Sequence, residues 1–456
     1  MERRKFLVRT GGLATVTALA GCSGNGGNGG NGGNGGNGGN GGSDGSDGGD
    51  GGDGGDSEDG GSTDGGDGED VRIGVLVPFT GDFSWVGSAV MPIVEMMAER
   101  INSNGGINGR NVTLIQADTE ATVDASVSAT RNLIDVEEVH GIIGPTSLTF
   151  TGVTDIIQEN QVPTVSPTAG TTEMDDIGGE FIFRTVPSDT IGGRAIAKAT
   201  REESINGQQS YERMGLIVGE APALTPFEEP IRSSFEEFGG TVTDTINFST
   251  GQSSYESQMS SMMQTDPEII ALVASPEDSS KFFRAAFNAG YEGNWFLTQE
   301  AANQSFLDDN EQQLTEGVFG LQEVADPNAL EEGRLEAFRE DVMDFSGEEP
   351  GEFALNTYDA VNVMAAALQA TAVAGDDLTR ANVAPNIREV ALPPGTQVTN
   401  FAESSSELSD GNEIDYSGLV GPIDFDENGN IAAPFGIMQA QSGEWEQVSL
   451  LQAEDI

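Results

Sequence analysis

Short apolar runs alternate with longer amphipathic stretches along the chain from residue 71 onward. The first run, 71–77, ends at Pro78 and precedes a stretch of about 86–104 whose apolar side chains recur at helical spacing. Strands that read as continuous apolar runs, separated by helices, are typical of a parallel sheet covered on both faces. The same pattern predicts further strands near 112–115, 141–143 and 162–165, and helices near 122–135 and 149–159.

The alternation starts again after Pro187, which predicts a second α/β unit. Residues 71–456 exceed what one hydrophobic core usually covers, so two lobes are expected. Ligands of open α/β sheets bind beyond the carboxyl ends of the strands, and the loops there are the first place to look for function. The predicted elements are strands at 214–218, 269–273 and 295–297, helices near 226–238, 255–264, 277–289, 330–345, 354–374 and 379–390, a polar stretch at 395–417 and a final strand-rich segment.

The first 22 residues have the pattern of an export signal. Arg3 and Arg4 precede an uncharged stretch at 10–20 that is too short to span a bilayer. The paired arginines resemble a twin-arginine signal, and Leu-Ala-Gly-Cys at 19–22 resembles a lipobox, whose cysteine becomes lipid-modified. Cys22 is the only cysteine of the chain, and its role is therefore predicted to be lipid attachment. An ordinary signal peptide with a chance cysteine is the alternative.

Residues 23–70 are predicted to form a disordered tether. They consist of Gly-Asn repeats followed by Gly, Asp and Ser, with no apolar side chain that could pack in a core. A Gly-rich coil of this length spans roughly 35 to 42 Å on average, and its acidic distal half extends it further. Such a tether would hold a folded domain away from the membrane surface.

The composition is strongly acidic, with 75 Asp and Glu against 20 Lys and Arg and a net charge of −55. Because the acids are spread over the whole chain, their repulsion opposes folding in dilute buffer, whereas molar salt reduces the screening length to about 3 Å. We therefore expect a halophilic source; a cation-buffering or polyanion-like surface is the competing interpretation. The charge argues against nucleic acid as a partner.

Motifs for catalysis or metal binding are absent from the sequence. His140, the only histidine, precedes a predicted buried strand and is expected to be structural. There is no Gly-x-Ser-x-Gly elbow, P-loop or Cys/His cluster. Asp424, Asp426 and Asn428 imitate the start of an EF-hand loop, but its twelfth position is Phe435, so a turn is expected. We predict that the protein is not an enzyme and uses no cofactor or metal.

Several short strings, in order, resemble the extracytoplasmic solute-binding proteins of ABC importers, in the leucine/isoleucine/valine-binding group. The resemblance covers about residues 71–440, and the combined order and spacing of the strings make it specific. The strings are Pro-Phe-Thr-Gly at 78–81, Asn-Gly-Gly-Ile-Asn-Gly-Arg at 104–110, Ile-Gly-Pro at 143–145 with Ser147, Val-Pro-Thr-Val-Ser-Pro at 162–167, Phe-Arg-Thr at 183–185, Thr-Tyr-Asp-Ala-Val at 357–361 and Gly-Pro-Ile-Asp-Phe-Asp at 421–426.

The resemblance implies a type I periplasmic-binding-protein clamshell, an α/β fold of two Rossmann-like lobes joined by three crossover strands. Lobe 1 is expected at about 71–188 and 324–418, and lobe 2 at about 189–323 and 419–456. Such receptors close on a small solute by a hinge motion. The closed form docks on the importer.

In the first lobe, the resemblance implies that the loops after the third and fourth strands hold an amino-acid ligand. Ser147 matches the hydroxyl that grips the carboxylate, although a turn serine is the plain alternative. The loop 166–172 is rich in hydroxyls and main-chain amides. Thr168, Gly170 and Thr171 are its candidate ligand residues, but Gly170 aligns where the family has a threonine.

In the second lobe, Glu300 matches the acid that binds the ligand's ammonium, a charge-assisted contact. A surface glutamate is the alternative in so acidic a chain. Ser275 aligns with a ligand-binding tyrosine of the family, which is a departure. Trp85 lies in the loop before the first helix and is either an aromatic wall for the ligand or a packing residue.

The function expected from these observations is capture of a small polar solute, most readily a branched-chain or other amino acid, for an ABC permease at the outer face of the cell membrane. A receptor for urea or short amides, or a surface sensor that presents its ligand to a signalling partner, remains open. The lipid anchor at Cys22 would attach the protein to the membrane.

Overall fold

A computed structural model describes residues 69–81, 83–326 and 330–456. The predicted export signal, the lipobox with Cys22 and nearly all of the predicted tether lie outside these residues, and they stay predictions. Across the described ranges, every helix is too short or too polar to cross a bilayer.

The first sheet has five parallel strands whose helices cover both faces. Its first strand is buried along nearly its whole length because all of its residues except Arg72 are apolar. The strands pair in the order β2-β1-β3-β4-β5, and the connecting helices are α1, α2 and α3. The bounds are β1 (Val71–Val77), α1 (Ser84–Ser103), β2 (Val112–Asp118), α2 (Val123–Asp135), β3 (Gly141–Ile143), α3 (Phe150–Glu159), β4 (Thr164–Ser166) and β5 (Ile182–Arg184).

The second sheet has seven strands, of which five are parallel and the last two are antiparallel. The order is β14-β13-β10-β9-β8-β6-β7. The bounds are α4 (Asp189–Arg201), α5 (Glu203–Asn206), β6 (Arg213–Gly219), α6 (Glu228–Glu237), β7 (Thr241–Phe248), α7 (Glu256–Met263), β8 (Ile269–Val273), α8 (Pro276–Ala289), β9 (Asn294–Leu297), α9 (Gln304–Asp308), α10 (Gln312–Thr315), β10 (Phe319–Glu323), β13 (Phe435–Gln441) and β14 (Glu444–Leu451).

The segment between β10 and β13 returns to the first sheet. It contributes α11 (Arg334–Ser346), α12 (Ala354–Val373), α13 (Arg380–Glu389), β11 (Thr396–Val398), α14 (Phe401–Ser409) and β12 (Ile414–Tyr416). α12 is buried along most of its length because small and apolar side chains surround its axis, and it packs on α1, α13 and α14. The polar stretch at 395–417 thus forms a helix and a two-stranded parallel ladder.

Residues 419–433, which the sequence analysis assigns to lobe 2, pack in the core beneath the first sheet. The cause is Asp359 of α12, whose buried carboxylate accepts the main-chain N–H groups of Leu419 at 2.8 Å and Val420 at 2.9 Å. Tyr416 donates its hydroxyl to the same carboxylate at 2.9 Å. The last crossing to the second sheet therefore comes just before β13.

The α/β fold predicted from the sequence is confirmed. The chain crosses between the two sheets three times: after β5, after β10 and before β13. Several elements, including α4, β7 and β10, were not predicted. α4 contains a Gly-Gly pair that weakens its helical pattern, and β7 is an edge strand whose polar residues hide its apolar alternation. The crossings place the carboxyl ends of the two sets of parallel strands opposite each other.

A fully buried arginine joins the first sheet to the first crossing. Arg184, at the end of β5, donates to the main-chain oxygens of Ala169, Gly170 and Thr171 at 3.0 to 3.3 Å. Its other terminal nitrogen lies 2.5 Å from the carboxylate of Asp175. That carboxylate also accepts the hydroxyls of the crossing residue Ser188 and of Thr190 in α4, both at 2.6 Å. The loop after β4, the crossing and the start of α4 are therefore one hydrogen-bonded unit.

We predict that Arg184→Ala lowers the free energy of unfolding by about 3 to 5 kcal/mol, because it leaves Asp175 and three carbonyl groups without their cation. Urea denaturation in molar salt measures the change. Arg213→Ala is the matched control, since Arg213 pairs with Asp266 and Glu268 at the surface with 42% of its side chain exposed. Its loss should cost no more than about 1 kcal/mol. Equal losses in the two variants would contradict the role assigned to Arg184.

Candidate functional site

A cleft lies where the carboxyl ends of the parallel strands face each other. Its walls come from the loops after β3, β4, β6 and β9, the end of β10, the start of α4 and the two segments that precede α1 and α12. The lining residues are Phe83, Trp85, Val86, Thr146, Ser147, Leu148, Thr168, Gly170, Val186, Asp189, Ala223, Gln299, Glu300, Glu323 and Phe353.

Ser147 is held in the cleft by the neighbouring loop. Its hydroxyl oxygen accepts the main-chain N–H of Thr171 at 3.2 Å, so the loops after β3 and β4 are joined. The loop after β3 passes close to β1 at Gly144, where a Cβ atom would lie 2.3 Å from the main-chain oxygen of Leu76 and φ is +121°. Only glycine fits this approach. The hydroxyl of buried Thr146 has no hydrogen-bond partner among the described residues.

The loop after β4 is shaped by its own serine and by Arg184. The hydroxyl of Ser166 accepts the N–H groups of Thr168 and Ala169 and donates to the carbonyl of Pro145 at 2.6 Å. With the carbonyls of this loop turned toward Arg184, the hydroxyl of Thr168 lines the cleft. Within the described residues that hydroxyl has no partner.

Gly170 is directly coupled to the second lobe. Its carbonyl accepts the main-chain N–H of Asp189, the first residue of α4, at 2.8 Å. A Cβ atom on Gly170 would lie 2.2 Å from a carboxylate oxygen of Asp189. The space that a side chain at position 170 would use is thus filled by this carboxylate, which gives a physical reason for glycine here.

Glu300 enters the cleft from the opposite side, three residues past the end of β9. One of its carboxylate oxygens is covered and lacks a hydrogen-bond partner in the described residues. Burial raises the pKa of Glu300 to about 7, while the side chain of Thr298 acts in the opposite direction. Gln299 beside it is buried, and its amide oxygen is also unpartnered among these residues.

Two further carboxylates, those of Glu323 in the cleft and Glu352 beside it, interact electrostatically with Glu300. Burial, and then the charge of Glu300, raise the pKa of Glu323 to about 8. The same two causes, with the charge of Glu323, raise the pKa of Glu352 well above its usual range. The side chain of Asn356 opposes the pKa shift of Glu323, although neither oxygen of Glu323 makes a hydrogen bond of normal geometry in the described part of the chain.

Asp189 completes a cluster of four acids. Its carboxyl is buried, which raises its pKa well above the ordinary value; the charge of Glu300 adds to this, and Arg184 opposes it. Glu300 therefore interacts electrostatically with each of the other three carboxylates. A positive charge placed in this cluster would stabilise the ionised form of the carboxyls.

An aromatic wall closes one side of the cleft. Trp85 at the start of α1 stacks with Phe353 before α12, with ring centroids 6.1 Å apart and planes at 17°. Trp85 also packs against the core of the first sheet, and both residues line the cleft. Trp85 thus has a packing role and a cleft-facing role at once.

The structure brings five of the seven predicted ligand residues to the cleft: Trp85, Ser147, Thr168, Gly170 and Glu300. Thr171 does not line it; its N–H positions Ser147, and its hydroxyl accepts the N–H of Glu173. Ser275 is also absent from the lining, because its side chain caps α8 by accepting the N–H of Asp278 at 3.2 Å. For Ser275 this replaces the expected ligand contact with a structural role.

Sequence reasoning missed the remaining acids of the cleft. Glu323 ends a strand that was not predicted, and the rule that ligands bind at strand ends would have pointed to it. Asp189 follows Ser188, the N-cap of α4. Glu352 lies in the acidic run 348–352, which reads as a solvated turn, and nothing local distinguishes it.

Two other motifs have structural roles in this molecule. The Nδ1 atom of His140 accepts the main-chain N–H of Arg72 at 3.1 Å, and burial lowers the pKa of its imidazole. Asp426 accepts the N–H groups of Asn428 and Asn430, both at 2.9 Å, within a turn.

A larger groove of about 520 Å³ lies beside α1 and α11, within the first lobe. Its basic groups are already engaged: Arg100 pairs with Asp341 at 2.8 Å, and Arg334 donates to the carbonyls of Thr399, Ser417 and Gly418. The cleft between the sheets, where several polar atoms lack partners, is the better candidate site.

The family of periplasmic binding proteins matches residues 70–444, and the chain belongs to this family. The proteins of this family and fold bind ligands and are not enzymes. The fold is that of type I periplasmic binding proteins, as the resemblance implied.

Named relatives come from archaea and bacteria. The chemotactic signal transduction system substrate-binding protein BasB of Halobacterium salinarum is 25% identical over 78% of this chain and 83% of its own length. The leucine-, isoleucine-, valine-, threonine- and alanine-binding protein of Pseudomonas aeruginosa is 22% identical over 66% of this chain and 78% of its own. The structure of the leucine-binding protein LivK of Thermotoga maritima superposes with a TM-score of 0.70 at 23% identity, covering 85% of this chain and 100% of that one.

The raised pKa values make the stability of the protein depend on pH. The folded protein retains protons on Glu300 and Glu323 that the unfolded chain releases above pH about 4.5. We predict that the free energy of unfolding, measured by urea denaturation in molar salt, falls as the pH rises from 6 to 9. Glu323→Gln, which mimics the protonated acid, should be more stable than the wild type by about 1 to 3 kcal/mol at pH 9 and nearly equal to it at pH 4, where the carboxyl is protonated in the folded and the unfolded chain alike.

The matched control is Glu349→Gln, the same change at an exposed position three residues before Glu352. It should shift the stability equally at both pH values. A difference between wild type and Glu323→Gln that does not grow with pH would show that the carboxyl of Glu323 titrates normally.

Proposed function

We propose that the protein is an extracytoplasmic receptor that captures an amino acid between its two lobes for an ABC importer. The main support is that unpartnered polar atoms from opposite lobes face one space: the hydroxyls of Thr146 and Thr168 on one side, and the oxygens of Gln299 and Glu300 on the other. A zwitterion needs hydrogen-bond donors at one end and an anion at the other.

In this proposal the α-carboxylate of the ligand lies against the loops after β3 and β4. The hydroxyls of Ser147 and Thr168 and the main chain at Gly170 are its contacts. The ammonium group lies against Glu300, whose carboxylate becomes fully ionised beside a cation. The ligand side chain packs along Trp85 and Phe353.

The space enclosed by the lining residues is about 40 Å³, room for a water molecule but not for an amino acid. Entry therefore requires the lobes to move apart about the crossings. A permease or another partner would then recognise the form in which the hinge has closed around the ligand. Ligand affinity depends on the contacts that only the closed form makes.

Transport, membrane attachment and location are part of the same proposal. A lipid on Cys22 and a long tether would keep the receptor near permease subunits at the outer face of the membrane. The N-terminal pattern that supports this lies outside the described residues.

Chemotactic sensing is the second candidate function. It is favoured by the similarity to BasB of Halobacterium salinarum, which is named as a substrate-binding protein of chemotactic signal transduction. Loss of labelled amino-acid uptake in cells lacking the protein would support import. Loss of taxis toward that amino acid with unchanged uptake would support sensing.

We predict that the full chain in molar NaCl binds at least one amino acid from a panel of the twenty common ones, and that binding raises its melting temperature. Glu300→Gln should weaken that binding by about ten- to a hundredfold, because it removes a hydrogen-bonded charge at the ammonium group. Calorimetric titration measures both affinities.

Ser275→Ala is the matched control, because the side chain of Ser275 caps a helix outside the cleft. Its affinity should equal that of the wild type. Binding of urea or short amides with no amino acid bound would contradict the amino-acid proposal while leaving a solute receptor. If Ser275→Ala weakened binding as much as Glu300→Gln, the proposed cleft contacts would be wrong.

A further inference from the structure

We propose that the ligand carries a second positively charged group, separated from the first by a short apolar chain, as in a basic amino acid or a diamine. This inference rests on the proposed function and narrows its ligand class. It concerns the cleft acids other than Glu300, namely Asp189, Glu323 and Glu352.

The charges in the cleft do not balance. The lining includes Asp189, Glu300 and Glu323, and Glu352 adjoins it, whereas no lysine, arginine or histidine is present among the described lining residues. Arg184 is the basic group that acts on Asp189, but its guanidinium is already bonded to three carbonyls and to Asp175. One ammonium group beside Glu300 would leave the other carboxylates uncompensated.

Uncompensated carboxylates in a covered site are costly, since a charge removed from water needs a partner. Both oxygens of Glu323 and one of Glu352 are covered and unpartnered in the described chain. These acids come from separate segments, the end of β10 and the turn before α12. Glu348 and Glu349, in the same acidic run as Glu352, are exposed, whereas one carboxylate oxygen of Glu352 is covered.

Independent polar residues also line this space. Thr146, Thr168 and Gln299 are 3%, 7% and 7% exposed, and an oxygen of each lacks a partner within the described residues. The amide oxygen of Gln299, beside Glu300, can only accept, whereas the two hydroxyls can also donate to a carboxylate. A ligand with several N–H donors would satisfy them.

The apolar part of the lining favours an organic cation. Trp85 and Phe353 present stacked rings, and Val86, Leu148 and Val186 complete this surface. Aromatic faces attract ammonium and guanidinium groups, and apolar walls accept the methylenes between two charges. Lysine, ornithine, arginine and putrescine share this chemistry.

The test is calorimetric titration of the full chain in molar NaCl with L-lysine, L-ornithine, putrescine and L-leucine. We expect at least one of the doubly cationic probes to bind about tenfold or more tightly than leucine. Glu323→Gln should reduce this preference by about ten- to a hundredfold, because it removes a charged partner that leucine does not need.

Glu349→Gln, the same change at an exposed position, is the control and should leave the preference unchanged. Melting temperatures of the variants establish that each is folded. A preference that persists in Glu323→Gln would overturn the assignment of the second charge to this acid.

The remaining outcomes separate this inference from the proposed function. Leucine binding without lysine, ornithine or putrescine binding would overturn the inference and leave the amino-acid receptor standing. Putrescine binding alone would support the second charge and contradict an α-amino acid ligand. A rise in melting temperature with CaCl₂ but with none of the organic cations would overturn the inference in favour of a metal ion.

Discussion

The guanidinium of Arg184 holds the ligand-facing loop of the first sheet against the crossing that leads to the second. It donates hydrogen bonds to three carbonyls of the loop after β4 and to the carboxylate of Asp175. That carboxylate also accepts the hydroxyls of Ser188 and Thr190. The position of Asp189, at the start of α4, follows from this network. The geometry of the cleft thus depends on a buried cation whose hydrogen bonds are made to the protein itself.

Because Arg184 bonds to three carbonyls and to Asp175, it does not neutralise the carboxylates that line the cleft. Four acids from four segments interact through Glu300, and their raised pKa values show that closing the cleft on bare carboxylates is unfavourable. In the proposed function, a cationic group between the closed lobes would remove that penalty. Ligand charge and closure are therefore linked by the same interaction.

The fold was largely predictable because buried parallel strands read as apolar runs, as at 269–273 and, apart from Arg72, at 71–77, and because family motifs mark the loops after them. Of the site, Ser147 and Glu300 follow predicted strands and could be found. Glu352 could not be found, because its acidic turn comes close to Glu300 only in the folded chain. Ser275 lies outside the cleft lining and its side chain caps α8, which alignment cannot show.

A crystal structure of the protein, grown in molar salt with the amino acid that raises its melting temperature most, tests the central claim most directly. The account predicts the ligand between the two sheets, with its carboxylate at Ser147 and Thr168 and its ammonium at Glu300. A ligand found in the groove beside Arg100 and Asp341, within one lobe, would contradict the account.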